Sequence, residues 1–277
     1  MILRQVLLQG AQALRDAGIE GPERDARLLL AEVVGLDPAR LALEPDFPVG
    51  AEDAEMFHRL LARRAAREPV SKILGRRNFW GRDFEINPDV LDPRPETETL
   101  IDLCLQEPPA KRLIDLGCGS GIIAVTLLAE WPTAQGVACD ISGPCLDTTQ
   151  RNAVTHGVND RLGVNKSSWF NEIKGEFDLI VSNPPYISDE EMHGLSPDVL
   201  NHDPHLALTP GGDGLSPYEE LAQGAMQHLS KGGRILVEMG WRQGAAVMAI
   251  FNAAGLTDVS CHKDLNGHDR VVSARRT

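Results

Sequence analysis

Asp178-Leu179-Ile180-Val181-Ser182-Asn183-Pro184-Pro185-Tyr186 is the stretch whose reading decides the fold. Phe177, Leu179, Ile180 and Val181 make an apolar run broken only by Asp178, the mark of a strand buried on both faces of a parallel sheet. Pro184 and Pro185 cannot donate to a ladder, and each restricts the residue before it. The chain therefore leaves the sheet abruptly at the carboxyl end of a strand, where open α/β sheets place their ligands. It leaves carrying an amide side chain, Asn183, and an aromatic ring, Tyr186.

The Asn183 oxygen and the carbonyls of the rigid Pro184-Pro185 backbone can accept both hydrogens of one NH2 group. An amide or aromatic amine is a poor nucleophile because its lone pair is delocalised. Fixing both N–H bonds lets the nitrogen pyramidalise and aim that lone pair at an electrophile, and Tyr186 can pack on the flat face of the same group. This is positioning and electrostatic preorganisation. A turn that only ends a strand would use the same four residues.

From Lys111 onward the pattern alternates. Strands are predicted at 111–116, 135–140, 161–165, 177–182 and 234–239, and helices at 121–131, 142–156, 217–229 and 243–254. Two late strands are predicted near 257–263 and 270–274. The alternation predicts a mostly parallel, doubly wound α/β sheet. Residues 187–216 lack clear periodicity and directly follow the key strand, as a lid would.

The first strand of this series, Leu113-Ile114-Asp115-Leu116, runs into Gly117-Cys118-Gly119-Ser120-Gly121. Such a turn brings backbone close to a ligand with no Cβ in the way. Asp140 ends the next strand and can take both hydroxyls of a ribose. A nicotinamide dinucleotide site would need G-x-G-x-x-G/A, and here Ile122 occupies the last position. The G-x-G-x-G spacing resembles the Rossmann-like S-adenosylmethionine methyltransferases instead. Asp115 is expected to organise loop backbone or a methionine amine. Trp169 could stack on adenine, with Phe170 beside it, or both rings could belong to the core.

Residues 1–68 read as helical: Ile2–Ala17 stopping at Gly18, a second helix from Pro22 to Gly35, a short piece after Asp37-Pro38, and Ala51–Arg67 closed by Pro69. Phe79, Phe84, Ile86 and Val90, punctuated by glycines, predict a β-hairpin linker. Pro93-Arg94-Pro95-Glu96-Thr97-Glu98 opens a helix through Leu105, its acids suiting the positive end of the dipole. The expected domains are 1–72, helical; 73–92, hairpin; and 93–277, catalytic.

Net charge is −13, which weighs against broad nucleic-acid binding. Against that background Arg59, Arg63, Arg64, Arg67, Lys72, Arg76 and Arg77 form a basic cluster in which Glu68 is the sole acid. It is either a solvated helix face or a docking surface for an acidic protein or RNA-bound partner. The five scattered cysteines form no C-x-x-C pair, which fits free thiols in a reducing cytosol and argues against zinc. No apolar run is long enough to span a membrane, and the N-terminus lacks the pattern of a signal peptide. Nothing signals an oligomer, so a cytoplasmic monomer is the expectation.

In order, these motifs resemble the peptide-chain release factor glutamine-N5 methyltransferases (HemK/PrmC type), over nearly the whole chain. Arg94-Pro95-Glu96-Thr97-Glu98, absent from generic amino-methylases, singles this family out. Glu68-Pro69-Val70, Phe79-Trp80-Gly81, Gly212-Asp213-Gly214-Leu215 and Asp269-Arg270-Val271-Val272 add to it. Ser168 and Asp92 depart from the pattern, which often has an acid at the first position and an apolar residue at the second. The resemblance implies a helical release-factor-docking domain and a seven-stranded class I methyltransferase domain. It implies S-adenosylmethionine as donor and S-adenosylhomocysteine as product, with no metal. Carried over, Gly117 to Gly121 and Asp140 hold the cofactor, Trp169 flanks adenine, and Asn183 to Tyr186 hold the glutamine of a Gly-Gly-Gln loop. An adenine-N6 methylase acting on nucleic acid faces the same exocyclic NH2 but would need to flip a base and grip phosphates. A cofactor-binding sensor without catalysis is the third class.

Overall fold

A computed structural model describes residues 1–277, which divide into two compact units. The first comprises Met1–Arg76 together with Ser196–His202. Its helices are α1 (Leu3–Asp16), α2 (Pro22–Val34), α3 (Ala51–Ala65) and the short α4 (Val70–Leu74), with a 3-10 turn at Arg40–Ala42. None is long enough to be stable alone, and they bury a shared core of Leu3, Val6, Leu14, Leu29, Leu30, Phe57 and Leu61. Gly35, at φ 66°, ends α2. The third helix stops at Ala65, short of the expected Arg67, which turns left-handed at φ 75°; Pro69 instead caps the start of α4, which carries residues 73–74 up to the left-handed Gly75.

Most of the basic cluster is not an open positive face. Arg64, nearly buried, pairs with Asp25 and with Asp198, both at 2.8 Å. Arg63 pairs with Glu68 at 2.5 Å, Arg59 with Glu55 at 3.5 Å, and Arg76 with Glu32. Within residues 59–77 Glu68 is the only acid, and the remaining partners come from α2, from earlier in α3 and from residues 196–202, which linear reading could not assign.

The second unit comprises Arg77–Leu195 and Asp203–Thr277. A hairpin of β1 (Arg76–Phe79) and β2 (Arg82–Glu85) enters it, followed by a 3-10 turn at Pro95–Thr97 that runs into α5 (Glu98–Leu105). Then come β3 (Arg112–Leu116), α6 (Ile122–Glu130), β4 (Gln135–Asp140), α7 (Gly143–Thr155), β5 (Leu162–Lys166) and β6 (Phe177–Ser182). Three one-turn helices follow where the sequence has no periodicity: α8 (Asp189–Met192), α9 (Pro197–Leu200), which belongs to the first unit, and α10 (His205–Leu208). The chain closes with α11 (Ser216–His228), β7 (Leu229–Glu238), α12 (Gly244–Ala253), β8 (Thr257–Lys263) and β9 (Asp269–Arg275). Strand β7 starts five residues earlier than expected, because Leu229 already pairs with Phe177 and the polar Ser230-Lys231-Gly232-Gly233 after it breaks the apolar run.

Seven strands form one sheet in the order β5-β4-β3-β6-β7-β9-β8, parallel except for β9, which runs against both its neighbours. Alternation along β3 and β6 sends Leu113, Leu179 and Val181 to one face, under α5, α6 and α7. Ile114, Leu116 and Ile180 go to the other, under α11 and α12. Both faces are covered, which is why the strands are apolar throughout. The chain winds from β3 outward to β5, then returns to lay β6 against the other side of β3. The strand order reverses between β3 and β6, so a crevice opens at their carboxyl ends.

Candidate active site

The crevice is a cavity of about 400 Å³ whose wall includes Gly117, Cys118, Gly119, Ser120, Asp140, Trp169, Asn183 and Pro185. That volume suits a nucleoside-sized ligand. The glycine turn and the Asn-Pro corner meet there because β3 and β6 pair in register, Asp115 opposite Val181, and end together. Ser182 Oγ donates to the Leu116 carbonyl at 2.7 Å and ties the two strand ends.

The glycine turn is fixed from behind. The N–H groups of Gly117 and Cys118 both donate to the Cys139 carbonyl, at 2.8 and 3.0 Å. From α7, Thr149 Oγ1 donates to the Gly119 carbonyl at 3.0 Å and Asn152 Nδ2 to that of Ser120 at 2.9 Å. Gly121 lies just behind the wall, as the N-cap of α6 at φ 79°. A Cβ there would fall 2.8 Å from Thr149 Cγ2, so glycine is demanded by both conformation and space.

Asp140 sits at the end of β4 with both oxygens engaged: Oδ2 accepts from Gly119 N–H at 3.0 Å and Oδ1 from Ser142 N–H at 2.9 Å. Burial pushes its carboxyl up, and those backbone donors pull it down. Each oxygen keeps a lone pair for a ligand hydroxyl. Asp115 is fully buried and behind the wall. Its Oδ2 accepts from Ala124 N–H at 3.1 Å, at the first turn of α6, so it organises backbone. Desolvation pushes its carboxyl up to about 7.

Trp169 holds a left-handed φ of 47° and reaches the cavity wall beside Gly117, where an added Cβ would lie 3.9 Å from its ring. Its carbonyl accepts from Ser167 Oγ at 2.8 Å, which fixes the turn. Phe170 instead stacks on His228 at 4.8 Å and packs over Gly224 of α11, a core role. Ser168 lies on the wall. Asp92 is buried, and its N–H donates to Asp203 Oδ1, an acceptor that also receives Arg94 on its other oxygen at 2.8 Å.

Of the Asn-Pro-Pro-Tyr corner, Asn183 and Pro185 line the cavity, Pro184 is buried, and Tyr186 lies behind the wall. The Tyr186 hydroxyl donates to Glu238 Oε1 at 3.4 Å, and burial with that carboxylate pushes the phenol well up. Two residues that the sequence assigned no role at the site hold the corner from outside it. Gln243 Nε2 donates to the Tyr186 carbonyl at 3.0 Å, and Gly214 packs against that same carbonyl. Two more, Thr97 and Glu238, stand directly behind Asn183. Asn183 Nδ2 donates to Thr97 Oγ1 at 3.3 Å, and Thr97 Oγ1 donates to Glu238 Oε2 at 2.6 Å. In the sequence Thr97 lies among the acids of a helix start and Glu238 near the end of a predicted strand, with nothing local to link either to Asn183. No three His, Cys, Asp or Glu side chains gather to hold a metal, and no helix is long and apolar enough to cross a membrane.

Comparison with known proteins adds the family. Residues 5–75 match the PrmC N-terminal domain, and residues 95–216 match the methyltransferase small domain. The chain is 52% identical over 262 residues to the release factor glutamine methyltransferase of Cereibacter sphaeroides, spanning 95% of this chain and 94% of that one. To the enzyme of the same description from Agrobacterium fabrum it is 40% identical, spanning 98% and 96%. A methyltransferase crystal structure from Pyrococcus furiosus shares the fold, with a TM-score of 0.55 at 17% identity over 78% of this chain and 96% of that chain.

Proposed function

Because the chain belongs to the release factor glutamine methyltransferase family, we propose that its cavity holds S-adenosylmethionine and presents it to a release-factor glutamine. The enzyme is a protein-glutamine methyltransferase. Its acceptor atom is the side-chain amide nitrogen, N5, of the glutamine in a Gly-Gly-Gln loop. The observation that carries this reading is Asn183. Its Nδ2 is spent inward on Thr97, which leaves Oδ1 as an acceptor at a cavity whose opposite wall is a nucleoside-type glycine turn with Asp140.

The residues present fit the cofactor. Backbone of Gly117 to Ser120 lies bare on the wall, Asp140 has lone pairs for two ribose hydroxyls, and the Trp169 ring offers an apolar face. When bound, S-adenosylmethionine supplies a methyl group already activated on a cationic sulfur. The protein's task is then to make an unreactive amide attack. Asn183 Oδ1 accepts one N–H of the substrate amide and the Pro184 carbonyl, to which no group of the chain donates, accepts the other. With both hydrogens fixed, the lone pair is directed along the transfer axis. The prolines hold those acceptors without rearrangement during the reaction, which is where preorganised dipoles gain their effect. The amide becomes acidic as its nitrogen is alkylated and then gives up a proton to solvent. Residues 1–72 dock the release factor and 73–92 link that domain to the catalytic one, in the cytoplasm where translation factors work.

The test is transfer of a tritiated methyl group to three acceptors: a release factor, its loop variant with glutamine replaced by alanine, and DNA. Label in the first alone is the expected result. Label in DNA would establish the adenine reading, and cofactor binding without label in any acceptor would establish the sensor reading.

A further inference from the structure

We infer that Glu238 and Thr97 are positioning residues that set which way the Asn183 amide faces, and so make it an acceptor rather than a donor toward the substrate. The inference rests on the reading of Asn183 given above and goes a layer deeper.

A threonine hydroxyl has one proton and can donate once. Thr97 is fully buried, and the Glu238 carboxylate lies 2.6 Å from its Oγ1. An ionised carboxylate only accepts, so the hydroxyl proton is committed to Glu238. What Thr97 then offers Asn183, 3.3 Å away, is lone pairs. Only the NH2 end of the amide can fill them. Oδ1 is thereby turned to the cavity. With the amide reversed, Nδ2 would meet the NH2 of the substrate, donor against donor, and the methyl-accepting nitrogen would lose its anchor. A free asparagine chooses between the two orientations at little cost. The Thr97 hydrogen bond makes the choice in advance.

The relay is built into the fold from separate parts: Thr97 ends the 3-10 turn before α5, Glu238 ends β7, and Asn183 follows β6. Every group facing Glu238 bears on its charge. Arg270 of β9 favours the ionised form, Glu96 opposes it, and the Tyr186 hydroxyl donates to its second oxygen. The Tyr218 hydroxyl of α11 takes the backbone carbonyl of Glu238. Burial outweighs the favourable contacts and pushes the carboxyl up to about 7. A protonated Glu238 donates to Thr97, releasing the hydroxyl proton toward Asn183 and favouring the reversed amide. Turnover therefore falls as pH drops through the titration of Glu238.

Three variants separate this from general destabilisation. Thr97→Val keeps the volume and removes the hydroxyl. Thr97→Ser keeps the hydroxyl. Glu238→Gln keeps an acceptor for Thr97 but cannot titrate. The expected kcat of T97V is down roughly 10- to 100-fold, the loss of one buried hydrogen-bonding orientation. T97S is expected within about threefold of wild type, and calorimetric cofactor Kd is expected to be unchanged in both. The acid limb of the kcat–pH profile is expected in the wild type and absent in E238Q. Wild-type kcat in T97V, equal loss in T97S and T97V, or an unshifted acid limb in E238Q would each overturn the inference. Asn183→Ala, run in parallel, distinguishes the layers. If it turns over like wild type, the reading of Asn183 fails. If it is inactive while T97V is not, only the relay fails. Should T97V not fold, the E238Q profile decides alone.

Discussion

Gly212 and Gly214 provide a matched pair of substitutions two residues apart. Both hold left-handed φ, 62° and 79° respectively. A Cβ on Gly212 would meet nothing within 4 Å, whereas one on Gly214 would enter the envelope of the Tyr186 carbonyl oxygen and lie 3.0 Å from the carbonyl carbon. Gly212→Ala therefore costs the conformational term alone, about 1 kcal/mol. Gly214→Ala costs that and must also open a gap of about 1 Å or more, because the carbonyl oxygen is the nearest atom and ordinary non-bonded contacts lie at about 3.5 Å. The atoms it presses on hardest are backbone, and Gln243 Nε2, which donates to that carbonyl, lies 3.0 Å from the same Cβ, so the push bears on Asn183-Pro184-Pro185-Tyr186. A displacement of that size at a positioning group costs roughly 100-fold in rate. The assay is methyl transfer to a release factor under saturating cofactor, with a thermal melt of each variant. A small loss of melting temperature in G212A, a larger one in G214A, and a loss of kcat in G214A alone are expected. If G214A turns over like G212A, the corner is not held by that contact.

Asp140→Asn sets an NH2 against one of two backbone N–H donors that now reach a carboxylate. Cofactor Kd by calorimetry should rise roughly 10- to 100-fold, the cost of one unmatched buried group. Arg64→Met leaves the buried Asp25 with only the exposed Arg24 at 3.2 Å, and urea unfolding should show a loss near the low end for a broken buried pair, about 3 kcal/mol. Asp115 and Glu238 both titrate near 7 in the folded protein, against ordinary values of 3.8 and 4.5. Between those limits the folded state holds more protons than the unfolded one, so stability is greatest on the acid side and declines as pH rises toward 7. Melting temperatures at pH 5 and 8 should show that decline, and E238Q should reduce it to the share that Asp115 contributes.

Much of this was legible in the chain because the signals are local. The buried strand Phe177–Ser182 and the prolines behind it needed only their own residues to be read, and so did the glycine turn after Leu116. The parallel sheet followed from alternation. What escaped was set by partners far apart in sequence. Thr97 and Glu238 are separated by 141 positions and gain meaning only when β7 lies beside β6. The basic cluster looked unopposed because Asp25, Glu32 and Asp198 lie outside it. Tyr186 reads as a ring for the substrate, yet its hydroxyl is drawn back to Glu238, a contact with no trace in local pattern. The one-turn helices of residues 189–208 are too short for periodicity to register.

The central claim is that the Asn183 oxygen holds the substrate amide during transfer. Steady-state kinetics of Asn183→Ala with a release factor as acceptor, alongside calorimetric cofactor binding, tests it most directly. The account predicts a kcat lower by roughly 10²–10³ with cofactor Kd nearly unchanged. Turnover equal to wild type would contradict it.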